Sequence, residues 1–212
     1  MKTNMYRVGA VAALVCAAQA PAFAASALNE TFESGLSGWT DRNPGNPESV
    51  LVADPLNAGN KVLSFTRLGA AGSILSNDFV YSSNGKFTLT FDYLGTPGKG
   101  GVAGNLGGFL GASSNSFLSG GEMWLAGTGN YGTAIKLIDD GAWHSYTLTF
   151  QSTIGQNLRL KLEDFDAAGG VAGDAYFDNI RLVSAVPEPS SVAMALVGLM
   201  GLVVARRRPR NV

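Results

Sequence analysis

Phe87, Leu89, Phe91 and Tyr93 occupy every second position of one segment, with Thr88, Thr90 and Asp92 between them. Successive side chains of an extended chain point to opposite sides, so this alternation marks a strand with one face in a core and the other toward water. Leu158, Leu160 and Leu162 alternate with Arg159, Lys161 and Glu163 in the same way. Val62 to Thr66, Trp143 to Phe150 and Tyr176 to Val183 are likewise short, rich in β-branched or aromatic residues, and bounded by Gly, Asn or Asp. No window between the two ends of the chain carries a helical stripe, and the 28 glycines suit turns and bulges. The pattern predicts an all-β domain, an antiparallel β-sandwich of jelly-roll type in which two sheets bury their inner faces against each other.

The ends of the chain follow different rules. Lys2 and Arg7 precede an apolar run from Val8 to Ala18, and Ala22-Phe23-Ala24 supplies the small residues that signal peptidase requires. Residues 1–24 are therefore expected to be a signal peptide, leaving 25–184 as the sandwich and 185–212 as a separate tail. That tail holds Pro187-Glu188-Pro189, an uncharged apolar stretch from Ser190 to Ala205, and Arg206-Arg207-Arg208-Pro209-Arg210. Arginines flanking an apolar segment stay on the cytoplasmic side of a membrane. At a helical rise of about 1.5 Å per residue the stretch reaches roughly 24 Å, short of the ~30 Å hydrocarbon core, which suits a temporary anchor better than a permanent one.

The tripartite tail resembles the PEP-CTERM sorting signal of bacteria that export proteins alongside an extracellular polysaccharide. The resemblance implies recognition at Pro187, Glu188 and Pro189 by an exosortase-type processing enzyme and loss of Arg206, Arg207 and Arg208. On that resemblance the protein is expected to stay only transiently in the cytoplasmic membrane before reaching the cell surface or extracellular matrix.

Cys16, the only cysteine, falls inside the signal peptide, so the exported domain carries no disulfide, thiolate metal site or cysteine nucleophile. Between residues 25 and 186 stand nine Lys and Arg against fifteen Asp and Glu, since six of the 15 basic residues and one of the 16 acids lie outside. The resulting net charge of −6 argues against a nucleic-acid partner, whose affinity rests on clustered cations.

Asn29-Glu30-Thr31-Phe32-Glu33-Ser34-Gly35-Leu36-Ser37-Gly38-Trp39 resembles the opening strand of carbohydrate-binding-module and galactose-binding-like jelly rolls. Tyr176-Phe177-Asp178-Asn179-Ile180-Arg181-Leu182 resembles their closing strand. Folds of this kind often tie those two strands together with a structural calcium, which implies Glu30 or Glu33 together with Asp178 as oxygen ligands. Sugar sites stack a ring on an exposed aromatic side chain beside amide and carboxylate hydrogen bonders. Trp143 shares its strand face with Ser145, Thr147 and Thr149, and Trp124 and Tyr131 flank the glycine-rich Gly127 to Asn130, so these three are the candidate platforms. Trp39 follows a turn and is expected to plug one end of the core.

Other signals point to less. Gly95 to Gly101 looks like a phosphate loop, but Gly100 stands after Lys99 where Ser or Thr is needed for magnesium, so Gly95 to Gly132 is read as a long loop or bulged edge strand. Asp164 to Gly169 does not complete an EF-hand, because Ala168 and Ala175 replace oxygen ligands. His144, the only histidine, shares a face with Tyr146, Leu148 and Phe150 and is expected to be a core or rim imidazole held by a backbone partner. Asp139, Asp140, Glu163, Asp164 and Asp166 are read as solvated carboxylates of strand ends and turns, not as a glycosidase pair. The expectation is a non-catalytic exported protein that binds carbohydrate in an exopolysaccharide matrix. A structural or adhesive matrix protein without a small ligand is the rival, and a glycoside-active enzyme comes third.

Prolines hold Pro187-Glu188-Pro189 extended, a form a protease can grip just outside the bilayer. Surface-exposed protein is therefore expected to lack Arg206 to Arg210 by mass spectrometry, and Glu188→Ala to accumulate uncut at the membrane. Peptides reading through Arg206 in surface protein would show a permanent anchor instead.

Overall fold

The computed structural model describes residues 26–69, 73–77, 79–80, 85–97, 107–113, 124–128, 135–152, 157–164 and 170–184. They form twelve strands in two sheets, and every strand pairing is antiparallel. The first sheet runs β10 (Trp143–Ser152), β7 (Gly85–Gly95), β12 (Ala175–Ser184), β4 (Asn57–Phe65), β3 (Ser49–Asp54). β1 (Ser26–Glu30) lies along the second half of β12, from Ile180 to Val183, while β4 meets the first half at Phe177. The second sheet runs β2 (Trp39–Asp41), β5 (Ile74–Ser76), β11 (Asn157–Asp164), β8 (Gly108–Ser113), β9 (Trp124–Gly127), with β6 (Phe79–Val80) also on β11. The expected antiparallel sandwich is what forms.

Alternation becomes a core through register. β7 and β10 pair without interruption from Trp143 opposite Leu94 to Ser152 opposite Gly85. Phe87 thereby faces Phe150 and Phe91 faces Tyr146, with ring centroids 5.5 and 5.4 Å apart. Leu158, Leu160 and Leu162 of β11 come from the other sheet and are fully buried with them. Each such side chain contributes roughly 1.5–3 kcal/mol on leaving water, so this mixed layer holds the sheets together. Trp39 joins the core as expected, tilted against Phe32 with centroids 5.8 Å apart.

The region from Gly95 to Gly132, described at 95–97, 107–113 and 124–128, meets the expected bulged edge strand at β9, whose pairing is irregular between Ala112 and Ser113, and departs from the expectation at β8. It supplies β8, an interior strand between β11 and β9, and β9 itself. Glycine is what admits β8. A Cβ on Gly108 would stand 2.3 Å from Tyr93 Cε2 and 2.8 Å from Phe177 Cζ, so two aromatic rings pack directly on the bare backbone. No helix among the described residues is long and apolar enough to cross a membrane. The expected signal peptide with Ala22 and Ala24, and the tail with Pro187, Glu188, Pro189, Arg206, Arg207 and Arg208, lie outside the described residues.

Gly108→Ala forces a methyl into that contact and is expected to cost about 1–3 kcal/mol in urea unfolding. Gly59→Ala, at the exposed start of β4 with only Asn57 Oδ1 within 3.5 Å, is expected to stay within about 0.5 kcal/mol of the parent chain.

Candidate functional site

On the outer face of the first sheet, Ser145, Asp92 and Asp178 stand side by side on β10, β7 and β12. Two carboxylates directly opposite each other repel unless donors intervene. Ser145 Oγ donates to Asp92 Oδ1 at 2.5 Å, and Asn179 Nδ2 donates to Asp92 Oδ2 at 2.8 Å. Asp178 accepts from its neighbour's amide, Asn179 N, at 2.7 Å and from Asn60 Nδ2 at 3.0 Å. Asn179 reaches both acids because the β12 register shifts between Asp178 and Arg181, and Asn179 takes a left-handed φ of 50°, a conformation asparagine tolerates better than most residues.

Trp143 completes the arrangement from the far edge of the sheet. Its Nε1 donates to Asp54 Oδ1 at 3.0 Å, and the same carboxylate accepts Leu56 N at 2.8 Å and Asn60 Nδ2 at 3.4 Å. In a flat sheet, β10 and β3 would lie four strand spacings apart, roughly 19 Å, more than one indole spans. The tip of the β3–β4 hairpin therefore bends over the outer face. Between hairpin and sheet lies a cleft of about 180 Å³ lined by Asp54, Asn60, Asp92, Trp143, Asp178 and Asn179.

Three acids and no cation line this cleft. Burial pushes the Asp54 carboxyl up, but the donors from Leu56, Trp143 and Asn60 outweigh it and hold the group below its ordinary value. Asp178 goes the other way: burial raises it, Asn60 and Asn179 pull it back, and the negative charges of Asp92 and Glu33 leave it above the ordinary value. The cleft thus accepts hydrogen bonds readily and repels anions.

The expected calcium ligands are divided. Glu30 is occupied within its own segment, accepting Phe32 N at 2.8 Å and Trp39 Nε1 at 3.0 Å. Glu33 accepts Lys61 N at 2.9 Å and lies close enough to raise Asp178. Among the described residues, no three His, Cys, Asp or Glu side chains are gathered to hold a metal ion by themselves.

Of the three candidate platforms, Trp143 is half-buried at the cleft. Trp124 opens β9 opposite Ser113, with its side chain outside the described residues, and Tyr131 lies outside them altogether. His144 is a rim imidazole, but its partner is a carboxylate and not backbone: Nε2 lies 2.9 and 3.1 Å from the Asp140 oxygens. That contact holds Asp140 below its ordinary value.

The acids read as solvated are mostly inside. Asp139 and Asp164 are fully buried, and Glu163 is 5% exposed; of that group only Asp140 is exposed, while Asp166 lies outside the described residues. Glu163 pairs with the equally buried Lys161 Nζ at 2.6 Å. Asp139 accepts Tyr93 Oη at 2.6 Å and Gly107 N at 3.0 Å. Asp174, which sequence reasoning passed over, is buried beside them. Parity was the available signal for Asp164, which continues the inward series of Leu158, Leu160 and Leu162.

Residues 185–208 match the family model described as the PEP-CTERM protein-sorting motif. No curated protein matches the chain. In three dimensions the chain is similar to the CBM22-1 xylan-binding domain from Paenibacillus barcinonensis Xyn10C, at 18% identity over 77% of this chain and 97% of that one, with a TM-score of 0.53. It is also similar to the CBM22-1-CBM22-2 tandem domain of the same protein, at 19% identity over 80% of this chain and 50% of that one, with a TM-score of 0.51. These likenesses establish the sandwich fold.

The indole-to-Asp54 bond is expected to stabilise the hairpin over the cleft. Trp143→Phe keeps the ring but loses the donor, and should lower stability by about 1–2 kcal/mol at neutral pH. A carboxylate depressed on folding contributes stability above its unfolded value, near 3.8, that is lost as pH falls through the folded value. The gap between Trp143→Phe and the parent should therefore narrow in melts below that pH.

Proposed function

We propose that this is an exported, exosortase-sorted protein of the cell surface or exopolysaccharide matrix, whose sandwich binds carbohydrate without cleaving it. The observation that carries the reading is the cleft under the β3–β4 hairpin, where an indole, two carboxamides and three carboxylates converge. A sugar ring offers an apolar face for the indole and vicinal hydroxyls for carboxylates and amides, and the lining is the set such recognition uses. The PEP-CTERM motif supports delivery to a polysaccharide-rich surface. Similarity to a structure whose name includes xylan binding is compatible with this ligand class.

Electrostatics narrows the class. Asp54, Asp92 and Asp178 give the lining a formal charge of −3 with no basic side chain, so neutral glycans are favoured over uronate-rich or sulfated ones. A binding role fits the carboxylates better than catalysis. Asp92 and Asp178 sit next to each other on one sheet face, joined through Asn179, whereas glycoside hydrolysis uses two acids on opposite sides of the scissile bond.

On an array of neutral and acidic glycans, the full-length protein is expected to retain neutral polysaccharides, with product analysis showing no shortening of the chains. Trp143→Ala and Asp92→Asn should each weaken retention about tenfold or more. Retention of no glycan, together with self-association of the protein alone, would favour the adhesive matrix role.

A further inference from the structure

At the end of the sandwich, Asp164 closes β11 of the second sheet and Asp174 leads into β12 of the first. Asp164 is fully buried and Asp174 is 3% exposed. One oxygen of each is satisfied: Asp164 Oδ2 accepts Gly173 N at 2.8 Å, and Asp174 Oδ2 accepts Val171 N at 2.9 Å. The other oxygen of each, Oδ1 in both, is buried without any hydrogen-bond partner. No ion pair with a Lys, Arg or His among the described residues reaches Asp139, Asp164 or Asp174.

Leaving two carboxylate oxygens dry and unpaired is a cost that native interiors avoid, and an ion is one recurrent reason for apparent exceptions. A Cβ placed on Gly107 would lie 2.9 Å from Tyr93 Oη, 3.2 Å from Asp174 Oδ1 and 3.3 Å from Asp139 Oδ1, so the bare backbone of Gly107 is what passes close to these oxygens. Asp139 already has its own donors in Tyr93 and Gly107. The Oδ1 atoms of Asp164 and Asp174 are thus the buried carboxylate oxygens here that the rest of the fold leaves without a donor.

We infer that the Asp164 and Asp174 carboxylates hold one calcium ion between the ends of β11 and β12, apart from the Glu33 and Asp178 seam and from the carbohydrate cleft. Two facing carboxylates balance a divalent ion, and a set made only of oxygens excludes the softer metals that seek nitrogen or sulfur. Calcium accepts irregular geometry and completes its shell with main-chain carbonyls and water, whereas magnesium demands near-ideal octahedra and gives up water reluctantly. Placed here, the ion ties one sheet to the other beside the connection from β11 to β12. An exported domain without a cysteine has no disulfide to do so.

The test uses the full-length chain stripped with EDTA and returned to CaCl₂ or MgCl₂. Calcium is expected to raise the melting temperature by several degrees with a midpoint of about 10⁻⁴–10⁻³ M, the range of extracellular modules, and magnesium to do less. By equilibrium dialysis, Asp164→Asn and Asp174→Asn should each bind one calcium ion fewer per chain than the parent. Both variants are expected to fold, because the new amide can donate to the remaining carboxylate. Glu33→Gln should leave that one-ion difference in place. Equal calcium in the parent and both variants, whether none or some, overturns the site, and so does a parent melt that calcium does not move.

Discussion

The ladder between β7 and β10 decides which way every nearby side chain points. Its ten consecutive pairs hold Phe87, Leu89, Phe91 and Tyr93 against Phe150, Leu148, Tyr146 and His144. A slip of one residue would bury Thr88, Thr90 and Asp92 and expose four large apolar groups, a loss far beyond what loop contacts recover. The same parity that loads the core also sets Asp92 and Ser145 on the outer face. The cleft is the reverse side of the core strands, and its precision derives from theirs.

β12 continues that parity only as far as Asp178. The extra residue before Arg181 lets Asn179 turn its amide toward Asp92 while its backbone N–H serves Asp178. Without the bulge, two carboxylates would face each other across the ladder with one fewer donor between them. The left-handed backbone at Asn179 is thus part of how the chain keeps adjacent acids on a sheet face.

Much of the fold was legible because alternation is a local property. Phe87 to Tyr93 and Leu158 to Leu162 announce strand, inward face and core at once. β8 was not legible in the same way, since Gly108-Phe109-Leu110-Gly111-Ala112-Ser113 carries two glycines and no alternation of apolar and polar residues, and its fit rests on long-range contacts: its ladders to β11 and β9 and the rings of Tyr93 and Phe177 against the bare Gly108. Trp143 was correctly placed on an outer face, yet its bond to Asp54 depends on a hairpin bending across the sheet, a long-range event that spacing does not encode. Asp139 and Glu163 misled for a related reason. An acid near a strand end is ordinarily solvated, and only Tyr93 Oη, Gly107 N and Lys161 Nζ, supplied by other parts of the fold or by a same-face neighbour, make burial tolerable.

The domain treats its buried acids in three ways, and the differences follow from what each strand can offer. Asp54 and Asp178 meet amide and indole donors, so they remain usable acceptors at the cleft. Glu163 meets Lys161 two residues away on the same face of β11, a local pairing that only a strand's period of two provides. Asp164 stands one residue further, on the opposite face, where that lysine cannot reach and where Asp174 arrives as a second negative charge. Burial and then Asp174 push the Asp164 carboxyl up to about 9, so in the bare chain the pair is held together by a proton near neutral pH. A proton satisfies one charge and leaves the other, whereas a divalent ion satisfies both. The position that strand parity denies to lysine is the one where the inferred calcium ion would neutralise the pair.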